Sequence, residues 1–194
     1  MIVIGIPTMG SIPNKVVACL VQVVRAYGDE VTYMSTENSL VYDARDTIMQ
    51  NALKMDADLV FIDSDIYFTV DAFKQLLSHK KPIVSGLYYG RRMPSQPIAY
   101  KKVRPRSIIR KYPVAEHITE IEPFMEVEGA GLGFCLIRNE VLRAVYQEGR
   151  NAFAPYGGMG EDFSFFYRCR KKGYKIYLDT TLGLKHLGEY AYGK

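Results

Sequence analysis

The chain has 194 residues, 48% hydrophobic and 24% charged, with 25 basic against 21 acidic side chains. That length holds one sizeable core rather than two, so residues 1–194 are expected to form a single domain. A net charge of +4 is too mild to imply a nucleic-acid partner, and three scattered cysteines, Cys19, Cys135 and Cys169, follow neither a disulfide nor a zinc spacing.

Reduced, buried thiols fit a cytoplasmic protein. The start, "MIVIGIPTMGSIP", has no basic leader and is interrupted by Gly5, Pro7 and Gly10, so it reads as neither signal peptide nor anchor. No apolar run approaches the ~18 residues of a membrane helix.

In chain order, residues 2–6 form an unbroken β-branched run, the pattern of a buried strand. A helix is expected next, with Ser11 as its cap, Pro13 in the first turn, Val16, Val17, Leu20 and Val24 on one face, and Gly28 as its stop. A strand over 30–34 and a helix over 42–55 follow, the latter with Ile48, Met49, Ala52 and Leu53 inward. The stretch "DLVFIDSDIYF" is the next strand; Thr69 then caps a helix over 70–79, and 81–89 returns as a strand. This alternation predicts an α/β domain with a mixed, mostly parallel sheet and helices on both faces.

From Tyr89 to about Glu126 the periodicity dissolves among five prolines and many basic residues, the composition of a functional loop or lid. Order resumes with a strand at 133–137, a helix that Asn139 could cap, a glycine-rich turn "YGGMG", a helix over 161–173 and a strand at 174–178.

Asp63 and Asp65 sit where the apolar strand ends, the place at which open α/β sheets bind ligands. Residues i and i+2 of an extended chain point to one side, ~7 Å apart, where two carboxylates repel unless a cation or donor neutralises them. Oxygen ligands suit Mg²⁺ or Mn²⁺. The same spacing also suits a turn cap at Asp63 with a solvated Asp65.

Glu161 and Asp162 head a helix, where negative charge is favourable in its own right; the alternative is a general base presented by flexible glycines. Of the three histidines, His79 reads as solvated, His117 lies in the irregular stretch, and His186 is placed to return to the sheet's ligand edge. The basic run Lys101, Lys102, Arg104, Arg106, Arg110 and Lys111 reads as a solvated loop or as an attractor of an anionic acceptor, membrane or nucleic acid. No G-x-S-x-G elbow, P-loop or dinucleotide fingerprint is present.

Taken in order, "IPTMGSIP", "ARDTIMQNAL", "LVFIDSDIYF", "GAGLGFCLIRNEVL" and "GEDFSFFYRCRKKGYKIYLD" resemble the GT-A-fold glycosyltransferases, in particular the large inverting family, family 2, of small sugar transferases. The resemblance implies a nucleoside-diphosphate-sugar donor, a Mn²⁺ or Mg²⁺ ion, and a glycan, lipid-linked or protein acceptor. By it, Asp65 and His186 ligate the metal, and Asp63 joins them through a metal-bound water or holds the donor's ribose. Asp162 is the catalytic base with Glu161 beside the acceptor, and Pro7, Thr8 and Arg45 contact the nucleotide. One departure is Asp46, where relatives commonly carry asparagine. A nucleotidyltransferase making sugar nucleotides and a non-catalytic nucleotide- or sugar-binding protein of the same fold are the alternatives.

Overall fold

In the computed structural model, which describes residues 1–37, 40–109 and 111–188, the first apolar run becomes β1 (Ile2–Thr8). Arg110 of the basic run lies outside the described residues. Pro13 stands at the N-cap of α1 (Asn14–Tyr27) and no side chain caps the helix. Ser11, expected in that role, instead accepts at its carbonyl from the Thr8 hydroxyl. Gly28 ends the helix at a φ of 52°, as its position predicts.

β2 (Val31–Glu37), α2 (Val41–Lys54), β3 (Asp58–Ile62), the short β4 (Ile66–Tyr67) and α3 (Val70–Ser78) follow. Thr69 caps α3 as expected, its hydroxyl accepting from the Ala72 N–H at 3.1 Å. β5 is Ile83–Gly86.

The stretch expected to be irregular contains β6 (Ala99–Arg104), β7 (Val114–His117) and β8 (Phe124–Val127), with β9 (Gly129–Ala130) just beyond it. Its pattern is hard to read because β6 slips register against β7 between Tyr100 and Lys102 and takes its second partner, β9, from farther along the chain. After β10 (Phe134–Ile137) comes α4 (Asn139–Val145). Asn139 is the first helical residue rather than the cap, because Asp58 at the start of β3 takes the capping role and accepts its N–H at 2.8 Å. α5 (Glu161–Lys171), β11 (Ile176–Asp179) and β12 (Lys185–His186) complete the elements.

The main sheet runs in the order β2-β1-β3-β10-β5-β11-β8. β2, β1, β3, β5 and β11 share one direction; β10 and β8 oppose it. Leu59 and Phe61 face a core shared with α2, α4 and α5, whereas Val60 and Ile62 face one shared with α1 and α3. Burial on both faces explains why β3 reads as a continuous apolar run. Cys19, Cys135 and Cys169 are free and buried in these cores. Among the described residues, no helix is long and apolar enough to cross a membrane.

Candidate active site

β3 delivers Asp63 to the edge of the sheet, where its N–H donates to the Gly133 carbonyl at 2.9 Å. A tight turn, closed by Ile66 N–H on Asp63 O at 3.1 Å, then carries the chain through Asp65 into β4. β4 pairs antiparallel with β12, setting His186 opposite Ile66, and the Leu187 N–H donates to the Asp65 carbonyl at 2.7 Å. This local pairing joins residues more than a hundred positions apart: His186 Nε2 lies 3.3 Å from Asp65 Oδ2. Arg91 Nη1 reaches the same oxygen at 3.1 Å.

His186 Nδ1 is 3.0 Å from the Tyr89 carbonyl, which can only accept. Nδ1 therefore carries a proton and Nε2 is the nitrogen turned to the carboxylate. Burial alone would raise the Asp65 pKa, but its hydrogen bond and charge interaction with His186, with Arg91 adding, hold it below the ordinary aspartate value.

On the other side of Asp63 stands Arg45 of α2, only 2% exposed. Its Nη2 donates to Asp63 Oδ1 at 2.9 Å and lies 3.8 Å from Asp162 Oδ1, while its Cζ sits 5.1 Å from the centre of the Phe61 ring. Among the described residues, Arg45 Nε and Nη1 and Asp162 Oδ1 are buried without a hydrogen-bond partner. Buried polar atoms normally have partners, so three orphans around one guanidinium describe a site shaped for a polar ligand or water. Burial disfavours the Arg45 charge, but Asp63, Asp162 and Glu161 outweigh it and raise its pKa further.

Asp162, the second residue of α5, accepts at Oδ2 from the Leu132 N–H at 3.3 Å. Burial pushes its carboxyl up to about 8; the Arg45 charge and the Leu132 N–H oppose the shift, and Glu161 and Asp63 reinforce it. Glu161, the half-buried first residue of the helix, stands beside it. Asp63 and Asp162 thus flank Arg45 at the end of β3, and Asp65, two residues farther along the chain from Asp63, pairs with His186.

Pro7 and Thr8 end β1, which runs parallel to β3 and pairs with it as far as Gly5 and Phe61. Pro7 is buried, and the Thr8 hydroxyl is engaged in its own turn, accepting from Gly10 N–H at 3.1 Å. Asp46 turns toward another partner, accepting from Ala152 N–H at 2.9 Å and Gln50 Nε2 at 2.7 Å. It pins the segment before α5 to α2.

Sequence reasoning missed Tyr88. It is 3% exposed, its hydroxyl accepts from Gly133 N–H at 3.0 Å, and burial, together with Asp63 and Asp162, raises its pKa well above the usual tyrosine value. A Cβ on Gly131 would fall 1.9 Å from that hydroxyl, and one on Gly133 would meet it at 2.7 Å and Asp63 Oδ2 at 2.8 Å. The glycines of "GAGLGF" were the available signal, since glycine next to a strand often marks a close approach.

Two further expectations need correction. His79 is not simply solvated: Nε2 lies 2.8 Å from the buried Asp179 and the ring stacks on Phe124. His117 lies on β7, with Nδ1 2.9 Å from the Pro97 carbonyl.

Among the described residues, no group of three or more His, Cys, Asp and Glu side chains forms a metal cage. The donor set nonetheless suits a hard divalent ion, because Asp65 Oδ2 and the Nε2 of a carbonyl-oriented imidazole face one another, and such ions commonly take remaining ligands from phosphates and water.

No family model and no curated protein sequence matches the chain. Among solved structures it is similar to A197 from STIV, at 23% identity and a TM-score of 0.67 over 97% of this chain and 86% of that one. It is also similar to the catalytic domain of Drosophila β1,4-galactosyltransferase 7 in complex with xylobiose, at 16% identity and a TM-score of 0.59 over 97% and 71%. A third likeness is GalNAc-T7 with UDP, GalNAc and Mn²⁺, at 12% identity and 0.54 over 92% and 42%. These likenesses, with the seven-stranded sheet and its helical layers, show that the chain has the GT-A fold of glycosyltransferase catalytic domains.

Proposed function

We propose that the protein is a metal-dependent glycosyltransferase that moves a sugar from a nucleoside-diphosphate sugar to an acceptor hydroxyl with inversion. The observation that carries this reading is the Arg45 guanidinium, buried between Asp63 and Asp162 with two unpartnered nitrogens, beside the Asp65–His186 pair. Similarity to GT-A domains solved with UDP and Mn²⁺ supports it.

Asp65 and His186 would hold Mn²⁺ or Mg²⁺, with Asp63 close enough to contribute through water or the donor's ribose. When bound, the ion offsets charge on the departing diphosphate. Pro7, Thr8 and Arg45 line the nucleotide side. Asp162 takes the proton from the acceptor hydroxyl at Oδ1, its unpartnered oxygen, and Glu161 orients the acceptor. Tyr88 keeps Asp63 and the Gly131–Gly133 backbone in register.

The lid of this reading is narrower than the sequence suggested, because β6, β7 and β8 occupy much of 89–126. It is the segment between Tyr89 and Pro97, whose Arg91 closes on Asp65. Ordering it over the donor would exclude water from the reaction.

Titration with several nucleoside diphosphates, with and without Mn²⁺, tests the reading. Metal-dependent binding of one of them is the expected result, followed by consumption of the matching sugar nucleotide. Binding indifferent to metal, or no binding at all, would overturn it.

A further inference from the structure

The β6–β7 hairpin has an end that the cleft does not use. Between the strands, Ile108 and Ile109 are 106% and 100% exposed, and Tyr112 is 68% exposed. Scattered apolar residues on a surface are ordinary; two adjoining isoleucines held wholly in water at the tip of a hairpin are a feature.

Their surroundings are basic. Residues 101–115 contain six Lys and Arg and no acidic residue, leaving 19 basic and 21 acidic residues to the rest of the chain. The protein's positive excess therefore lies in this stretch of the sequence. Glu116 pairs with Lys102 and Glu128 with Arg104, nearer the body of the domain. Arg106 and Lys111, which flank the isoleucines, have no ion-pair partner among the described residues. Lys111 Nζ lies over the Tyr112 ring instead, at 5.6 Å.

An apolar point with a cationic and aromatic collar matches the layered chemistry of an anionic bilayer, whose headgroups attract the collar and whose acyl boundary accepts the point. Nucleic acid offers the charge but nothing for the isoleucines. We infer that the tip formed by Arg106, Ile108, Ile109, Lys111 and Tyr112 docks the protein on an anionic lipid surface, with Ile108 and Ile109 entering the acyl boundary and Arg106, Lys111 and Tyr112 at headgroup level.

The tip is coupled to the cleft through its root. Arg106 N–H donates to the Gly157 carbonyl at 2.8 Å, and a Cβ on Gly157 would come within 2.4 Å of Pro105. Gly157 belongs to the turn that leads into α5 and hence to Glu161 and Asp162. Docking would thus bring the acceptor side of the cleft toward the headgroups. A membrane-borne, lipid-linked acceptor follows as a corollary, and this corollary alone rests on the transferase reading.

The test is co-sedimentation of the full chain with phosphatidylcholine vesicles and with vesicles enriched in phosphatidylglycerol, without metal or donor, so that failure leaves the transferase reading untouched. Binding is expected to the anionic vesicles only, and to weaken as salt is raised. Ile108→Ser with Ile109→Ser should reduce affinity roughly tenfold, and Arg106→Glu with Lys111→Glu by at least about as much, each with an unchanged thermal melt. The inference is overturned if the wild type ignores anionic vesicles or binds neutral ones equally. It is also overturned if the serine pair binds like wild type, or if that pair alters only self-association in sedimentation velocity.

Discussion

Arg45, on the buried face of α2, donates to Asp63 across 2.9 Å and lies 3.8 Å from Asp162, so one guanidinium stands between the two carboxylates. The salt bridge is one-sided: the arginine is almost wholly buried, whereas Asp63 is 27% exposed and open to the cleft. Replacing Arg45 with methionine would keep the packing volume but leave Asp63 and Asp162 facing each other without a cation. Breaking a buried pair from one side costs about 3–5 kcal/mol; the partial exposure of Asp63 argues for the lower end. Urea denaturation of Arg45→Met should show a loss of about that size, and an unchanged midpoint would mean the pair contributes nothing.

Asp162 predicts a pH signature. Its folded-state pKa of about 8 lies above the unfolded value of about 3.9. The native state therefore holds this proton more tightly. The resulting stability is fully present below the unfolded pKa and is lost as pH rises toward about 8. Asp162→Asn removes the titration, so the variant should gain stability relative to wild type across that interval. Parallel midpoint curves for the two proteins would contradict the raised pKa.

The same substitution separates chemistry from binding. If Asp162 is the base, its amide should lower turnover by about 10²–10⁴-fold, the usual worth of a positioned base, with donor affinity retained. Normal turnover by Asp162→Asn would remove it from that role.

The metal assignment predicts a different split. Asp65→Ala and His186→Ala should each weaken Mn²⁺-dependent binding of a nucleoside diphosphate by at least about tenfold, since even outer partners of metal ligands are worth that much. Calorimetry reads this directly. Retained affinity in His186→Ala would leave its proximity to Asp65 a structural ion pair.

The close approach of Tyr88 to the glycine strand can be probed by a cycle. Gly131→Ala drives a methyl into the tyrosine hydroxyl and should cost about 1–3 kcal/mol, as overpacking commonly does. In a Tyr88→Ala background the penalty should vanish. An additive double variant would show that the two residues do not share this space.

Much of the domain was legible from one dimension. β1 and β3 announced themselves as apolar runs because both faces of each are covered. Thr69 and Gly28 marked helix ends because their roles depend on neighbours in sequence. The carboxylate pair after β3 could be found because a strand end is a local feature.

Ser11 and Asn139 misled for the opposite reason: Pro13 already occupies the α1 cap position, and the α4 N-terminus is satisfied by Asp58 from another element. The β6–β7 hairpin was hidden because its partners are distant and its register slips at Tyr100.

Sequence by itself determined the α/β alternation, the cores on both sheet faces and the identities of the charged groups available for chemistry. Tertiary structure alone decided that Arg45 is buried between Asp63 and Asp162, that β12 returns His186 to Asp65, and that Tyr88 occupies the space left by Gly131 and Gly133. The division follows from range: periodicity and capping depend on neighbours along the chain, whereas burial, ion pairing and pKa depend on neighbours in space, which strand order and register bring together.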